Sequence, residues 1–157
     1  PLICGYGTDK GIFGFGENPA PYTNLTNLVS NVGVVASDTA GVGTIRHRLA
    51  ACGYGGDKGI FGYGAGGTPK MSMTSLVSNS GVVSADVTGV GTPRIFPSAS
   101  GYGGDKGIFG YGKDTAASPM FVSMTNKVSS SGVVATDTSG VGTGFAGRGA
   151  CGFSNSA

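Results

Sequence analysis

"GYGGDKGIFGYG" occupies residues 53–64, and the same twelve residues return unchanged at 101–112. Near the start the stretch is lightly edited to "GYGTDKGIFGFG", residues 5–16. Asp9, Asp57 and Asp105 therefore recur at steps of 48 residues. Asp38, Asp86 and Asp137 keep the same order, with a last step of 51 because three extra residues enter within "KDTAASP", 113–119. Thr44, Thr92 and Thr143 follow the same steps, and "ACGF", 150–153, opens a fourth copy. A repeat of this length marks one supersecondary unit that cannot bury its apolar face alone and needs a neighbour to cover it. The chain thus reads as a single repeat domain, residues 1–157, with units at about 5–52, 53–100 and 101–151.

Composition narrows the class. Glycine supplies 32 of the 157 residues, against a usual share of about 7%. There is no Gly-X-Y period, which excludes a collagen helix. Hydrophobic residues reach 39%, so the chain can build a core despite the glycine and only 11% charged residues. A net charge of +2 with scattered basic residues gives no electrostatic footprint for nucleic acid. No apolar run is long enough for a membrane-spanning helix, and the opening "PLICGYG" carries no charged and apolar leader pattern.

Within one unit, the signals are those of strands. The "GYG" and "KGIFGYG" runs flank a Gly-Asp pair, which reads as a hairpin. Thr8 replaces the first residue of that pair in the first copy, and its dislike of positive φ argues against a tight primed turn there. A loop of variable sequence follows (17–22, 65–70 and 113–119). Leu25-Asn27-Val29, Met73-Ser75-Val77 and Met124-Asn126-Val128 then alternate with Thr26-Leu28-Ser30 and their equivalents, the period of two that marks a strand. Lys127 on the second face indicates that this face meets solvent. "SNVGVV", "SNSGVV" and "SSSGVV" read as a turn into a further strand, and "DTAGVGT" and its copies as a closing turn in which Asp caps and Gly supplies positive φ. Four short strands and no helix are expected per unit. Alternate glycines in "GIFGYG" allow close approach of a neighbouring backbone, as repeated units crowding round a shared centre require.

Little in the sequence suggests catalysis, because a residue that repeats would create three centres where one is needed. The Asp9/Lys10, Asp57/Lys58 and Asp105/Lys106 pairs read as turn residues with solvated cations; the functional alternative is a rim of charge for an ion or acidic ligand. Asp38, Asp86 and Asp137 read as turn formers, since one carboxylate per loop is too few for calcium. Cys4, Cys52 and Cys151 hold equivalent positions, a full repeat apart, and read as small buried residues rather than as a disulfide or a metal set. Gly62-x-Gly64-x-x-Gly67 lacks the helix that a dinucleotide site needs. His47, the only histidine, reads as an exposed loop residue with no acid or nucleophile beside it. No catalytic residue, metal site or cofactor is expected. Residues that break the repeat are more informative, and they gather in the loop after "GYG". Loops on a rigid scaffold are where binding differences collect, so Tyr22, Lys70, Lys113 and Asp114 are the candidate ligand-binding residues.

Units of 40–50 residues with four strands are what propeller blades look like in sequence. The order of "IFGYG", variable loop, "TNLVS", turn, strand and Thr-x-Arg (Thr44-Ile45-Arg46, Thr92-Pro93-Arg94) resembles kelch repeats, although the chain has no Trp and the third copy replaces the Arg with Phe145. The "GGDKxIFGYG … TNLVSNxGVVAxDTxGVGTxR" wording is similar to kelch-like, tail-fibre-like repeats of bacteriophage and environmental viral genomes. The resemblance implies an all-β, kelch-like β-propeller with three blades in this chain. Closed propellers take about 4–8 blades, so a second chain completing six is expected; a β-trefoil or β-prism with three-fold pseudosymmetry is the alternative. The expected function is a non-enzymatic structural or binding module, virion-associated or extracellular. Its expected partners are a second copy and a glycan or cell-surface receptor, without nucleic acid or membrane insertion. The alternative function is a lectin with one shallow site per repeat.

Overall fold

A computed structural model of the chain describes residues 2–17 and 22–152. Residues 18–21 of the first variable loop and Phe153 of the fourth-copy "ACGF" lie outside the described residues. The described chain is all-β. Nine strands form: β1 Leu2–Tyr6, β2 Lys10–Gly16, β3 Thr23–Val29, β4 Ala50–Tyr54, β5 Lys58–Gly62, β6 Thr74–Val77, β7 Ser98–Tyr102, β8 Lys106–Gly110 and β9 Thr125–Val128. They pair into three antiparallel sheets, one per repeat, in the orders β1-β2-β3, β4-β5-β6 and β7-β8-β9.

Each hairpin closes in the same register, with Tyr6 opposite Lys10, Tyr54 opposite Lys58 and Tyr102 opposite Lys106. The connection is therefore a three-residue loop rather than a two-residue turn. Contrary to the expectation from its side chain, Thr8 adopts φ 70°, close to the φ 78° of Gly56 at the same place in the second unit. Its hydroxyl donates to the Gly7 carbonyl at 2.6 Å, a local bond that offsets part of the cost of the left-handed conformation.

The fourth strand expected in each unit is reduced to isolated bridges. Val35 and Thr39 meet Val29 and Thr26; Val83 and Val87 meet Val77 and Thr74; Val134 and Thr138 meet Val128 and Thr125. Between the two bridges no ladder continues in any of the three units, and in the second and third the Asp of the closing motif bonds to a partner described below.

The apolar core lies between the sheets. One cluster joins Cys4, Tyr6, Ile12 and Phe15 of the first unit to Leu49, Phe61 and Val77 around the second. The next joins Ala50, Cys52, Tyr54, Ile60 and Tyr63 to Phe109 and Val128. The inner strands pack in succession, β1 on β4 and β4 on β7. Glycine makes this spacing possible. A Cβ on Gly59 would stand 2.5 Å from Cys4 Sγ and 3.1 Å from the Gly5 carbonyl oxygen. One on Gly62 would stand 2.7 Å from Phe109 Cζ. The repeated glycines are thus the holes into which the preceding unit's thiol and backbone and the following unit's ring fit. Phe61 and Phe109 are fully buried in them, and each such ring contributes roughly 2–3 kcal/mol by its removal from water.

Candidate functional site

The "GYG" motif places an aromatic ring where a strand bulges. Register shifts between Gly14 and Gly16 in the β2–β3 pairing, and Phe15 takes φ 57°; Tyr63 and Tyr111 take φ 65° and 60°. A bulge re-aims its side chain, and here it turns the ring toward the segment that leaves the unit. Arg46 lies over Phe15 at 4.6 Å and Arg94 over Tyr63 at 4.1 Å. Both guanidinium groups are buried, where a desolvated cation over a ring contributes about 2 kcal/mol.

From that position each arginine, with the threonine two residues before it, grips the following unit. Thr44 donates its backbone N–H and its hydroxyl to Asp86 at 2.7 and 2.6 Å. Arg46 reaches Asp86 Oδ1 and Ser75 Oγ, each at 2.8 Å. At the second junction Thr92 donates to Asp137 through its N–H at 2.9 Å and its hydroxyl at 2.7 Å. Arg94 donates to Asn126 Oδ1 at 2.8 Å and to the Tyr111 carbonyl at 2.7 Å. Asp86 and Asp137 are therefore clasps between units, and the reading of them as turn formers is corrected. Burial pushes both carboxyls up, but the hydrogen bonds from Thr44 and Arg46, and from Thr92 and Asn126, outweigh it and hold both below the ordinary value. Burial also pulls the two guanidinium values down.

The hairpin loops of all three units open onto one cleft of about 350 Å³, lined by Gly5, Tyr6, Gly53, Tyr54, Gly101 and Tyr102 among others. Lys58, Asp57 and Lys106 stand at its rim. Each loop cation is satisfied by its neighbour, as in Lys10–Asp9, Lys58–Asp57 and Lys106–Asp105. Backbone bonds stitch these loops together, with Gly7 N–H to the Asp57 carbonyl and Gly55 N–H to the Asp105 carbonyl, both at 2.7 Å. Among the described residues no group of three or more His, Cys, Asp or Glu gathers where a metal ion would sit.

The four residues selected from the variable loops occupy a different region. Tyr22 stacks on His47, with ring centroids 3.9 Å apart. Lys70 and Asp114 pair across the second and third units, and the Lys70 ammonium holds the Asp114 carboxyl below its ordinary value despite burial. Lys113 lies 5.9 Å from the Phe121 ring centroid. The structure thus joins Lys70 to Asp114 but does not bring Tyr22 to them. His47 is 2% exposed, not an open loop residue; its backbone exchanges hydrogen bonds with Ala65, which draws the ring under Tyr22. The cysteines divide. Cys4 and Cys52 are buried and free, and burial pushes both thiols up to about 12. Cys151 is exposed, against expectation.

No protein-family model matches the chain, and no curated protein matches it.

Proposed function

We propose that the chain is a non-enzymatic structural and binding module, a kelch-like β-propeller assembly that displays loops from a rigid frame. The observation that carries this reading is the likeness of the two junctions: a ring, an arginine, a threonine and an aspartate recur at equivalent positions, with Thr44 on Asp86 and Thr92 on Asp137, and three hairpin loops share one cleft. Equivalent junctions apply a similar rotation at each step, the rule by which repeat proteins acquire their curvature. Among the described strands, none of the first sheet packs extensively along one of the third, which disfavours closure as a β-trefoil or β-prism within one chain. The virion-associated role, as a tail-fibre or receptor-binding element, rests on the resemblance of the repeat wording.

The binding surface in this reading is the set of loops bearing Tyr22, Lys70, Lys113 and Asp114, and the ligand is a glycan or another cell-surface group. The test is binding to a glycan array and to bacterial cell surfaces, using the natural chain and a variant with all four residues changed to Ala. Replacing Lys70 and Asp114 together leaves neither charge without its partner. Binding lost in the variant at an unchanged melting temperature supports the reading. Saturable binding to one glycan through the shared cleft, insensitive to those loops, favours the lectin alternative. Turnover of a glycan would sink the non-enzymatic reading.

A further inference from the structure

Every feature that joins one unit to the next is present at both ends of the described chain, but with one half missing. On the outgoing side of the third unit, a Cβ on Gly142 would meet nothing within 4 Å, whereas on its equivalents Gly43 and Gly91 it would strike Asp86 and Asp137. Gly14 and Gly62 receive Phe61 and Phe109, but no ring from another unit stands near Gly110. Gly7 and Gly55 lie against the backbones of Asn79 and Ser130; Gly103 has only the Lys106 ammonium near it.

The incoming side of the first unit carries the complementary halves. Gly81 and Gly132 are covered by the tyrosine and leucine of the preceding unit, while Gly33 has nothing within 4 Å. Phe13 is half-buried where Phe61 and Phe109 are fully buried. Asp38 is exposed and, among the described residues, accepts only from Asn27, at 2.8 Å. Asn27 also donates to the Ala36 carbonyl at 3.2 Å. This is the arrangement of Asn126, which donates to Asp137 at 2.9 Å and to the Ala135 carbonyl at 3.0 Å. The receiving clasp is built before anything enters it.

The donor side keeps its parts, although Phe145 breaks the Thr-x-Arg motif. Phe145 keeps the arginine's backbone role, accepting from Gly112 N–H at 2.7 Å as Arg94 accepts from Gly64 at 3.0 Å. The cation arrives from Arg148 instead, 3.6 Å above the Phe145 ring and 5.8 Å from the Tyr111 ring.

We infer that a second copy of this chain docks head to tail on the first unit. Its Thr143 N–H and hydroxyl reach Asp38, its Arg148 reaches Asn27, and its Gly110 receives Phe13. Continuity with the two junctions inside the chain points to the occupant: a unit with the same donor and hole fits this acceptor and knob, and a second copy carries both on its third unit. Lys127 takes the place of Leu28 and Leu76 on the docking face, where its aliphatic stem covers Gly33 and its ammonium stays in water. A Cβ on Gly152 would stand 2.6 Å from the Gly101 carbonyl oxygen, where β1 of the arriving copy belongs, so docking displaces residues 150–152. The inference rests on the ring reading only for its closure; the clasp itself needs only the junction.

Light scattering on the full chain tests it. A two-chain species is expected at the highest soluble concentration. Asp38→Ala, which removes the acceptor, and Thr143→Asp, which places a carboxylate against Asp38, each shift the mass to one chain, while each single chain melts, in dilute solution, where the dilute natural chain does. An equimolar mixture of the two variants recovers a two-chain species, because one intact clasp remains between them. Open-ended polymers that Asp38→Ala dissolves support the clasp and overturn only the closed ring. A natural chain that stays single, or an assembly indifferent to Asp38→Ala, overturns the inference.

Discussion

The Thr44 hydroxyl donates to the Asp86 carboxylate at 2.6 Å, across 42 residues of sequence and from one unit to the next. Together with Arg46 it gives a short, ordinary-looking loop aspartate the task of holding two sheets in register. The same pair of roles at Thr92 and Asp137 makes the junction a rule of this chain.

Removal of the Asp86 carboxylate leaves Arg46 buried and without its counter-charge. Asp86→Ala is expected to cost about 3 kcal/mol, the scale for breaking one side of a buried pair. In dilute samples, where the chain is single, Asp38→Ala is expected to change stability by no more than about 0.5 kcal/mol, as an exposed substitution does. Urea unfolding of both variants measures the contrast, and equal losses would refute the clasp.

Acid should loosen the junctions. Asp86 and Asp137 have folded values below the ordinary 3.8. Their contribution is therefore complete above that unfolded value and is lost as pH falls through the lower folded values. Melting temperature should hold steady down to about pH 4 and then fall. In Asp86→Asn with Asp137→Asn the acid-dependent part of that fall should shrink, and an unchanged slope would count against the assignment.

Glycine-to-alanine changes should sort by whether a neighbour fills the hole. Gly62→Ala puts a Cβ 2.7 Å from Phe109 and is expected to cost about 1–3 kcal/mol by overpacking. Gly110→Ala meets only the Thr125 methyl at 3.2 Å as its closest neighbour, so the isolated chain should lose less than half as much. Thermal denaturation of dilute samples gives the comparison.

Thiol labelling should separate the cysteines. Cys151 is exposed, whereas the Cys4 and Cys52 thiols are buried and pushed up to about 12, and it is the thiolate that reacts. One thiol per chain should react quickly with Ellman's reagent in the native state and three in denaturant. Two fast thiols would contradict the burial of the inner strands.

The all-β class, the hairpins and the β3, β6 and β9 strands were legible because each depends on local chemistry: a period of two, a glycine at a turn, a fixed step along the chain. The need for close approach at "GIFGYG" was legible too. The fourth strand was overestimated, since "GVVAxD" has strand propensity but forms only isolated bridges, and in the second and third units its aspartate answers to a group more than forty residues away. His47 was misread for a similar reason, because its burial depends on Ala65 and Tyr22.

Sequence by itself determined what each unit is and that it must have neighbours, because glycine at fixed intervals and apolar faces without cover are properties of single residues and their spacing. Only the tertiary structure decided which groups join the units. Thr44, Arg46, Asp86 and Ser75 each sit in a repeated motif, but no local pattern pairs them across the junction, and a cation can reach its ring from a different position, as Arg148 does over Tyr111. Hydrogen bonds and cation–π contacts depend on distance in space, and spacing along the chain does not encode that distance until the sheets have packed.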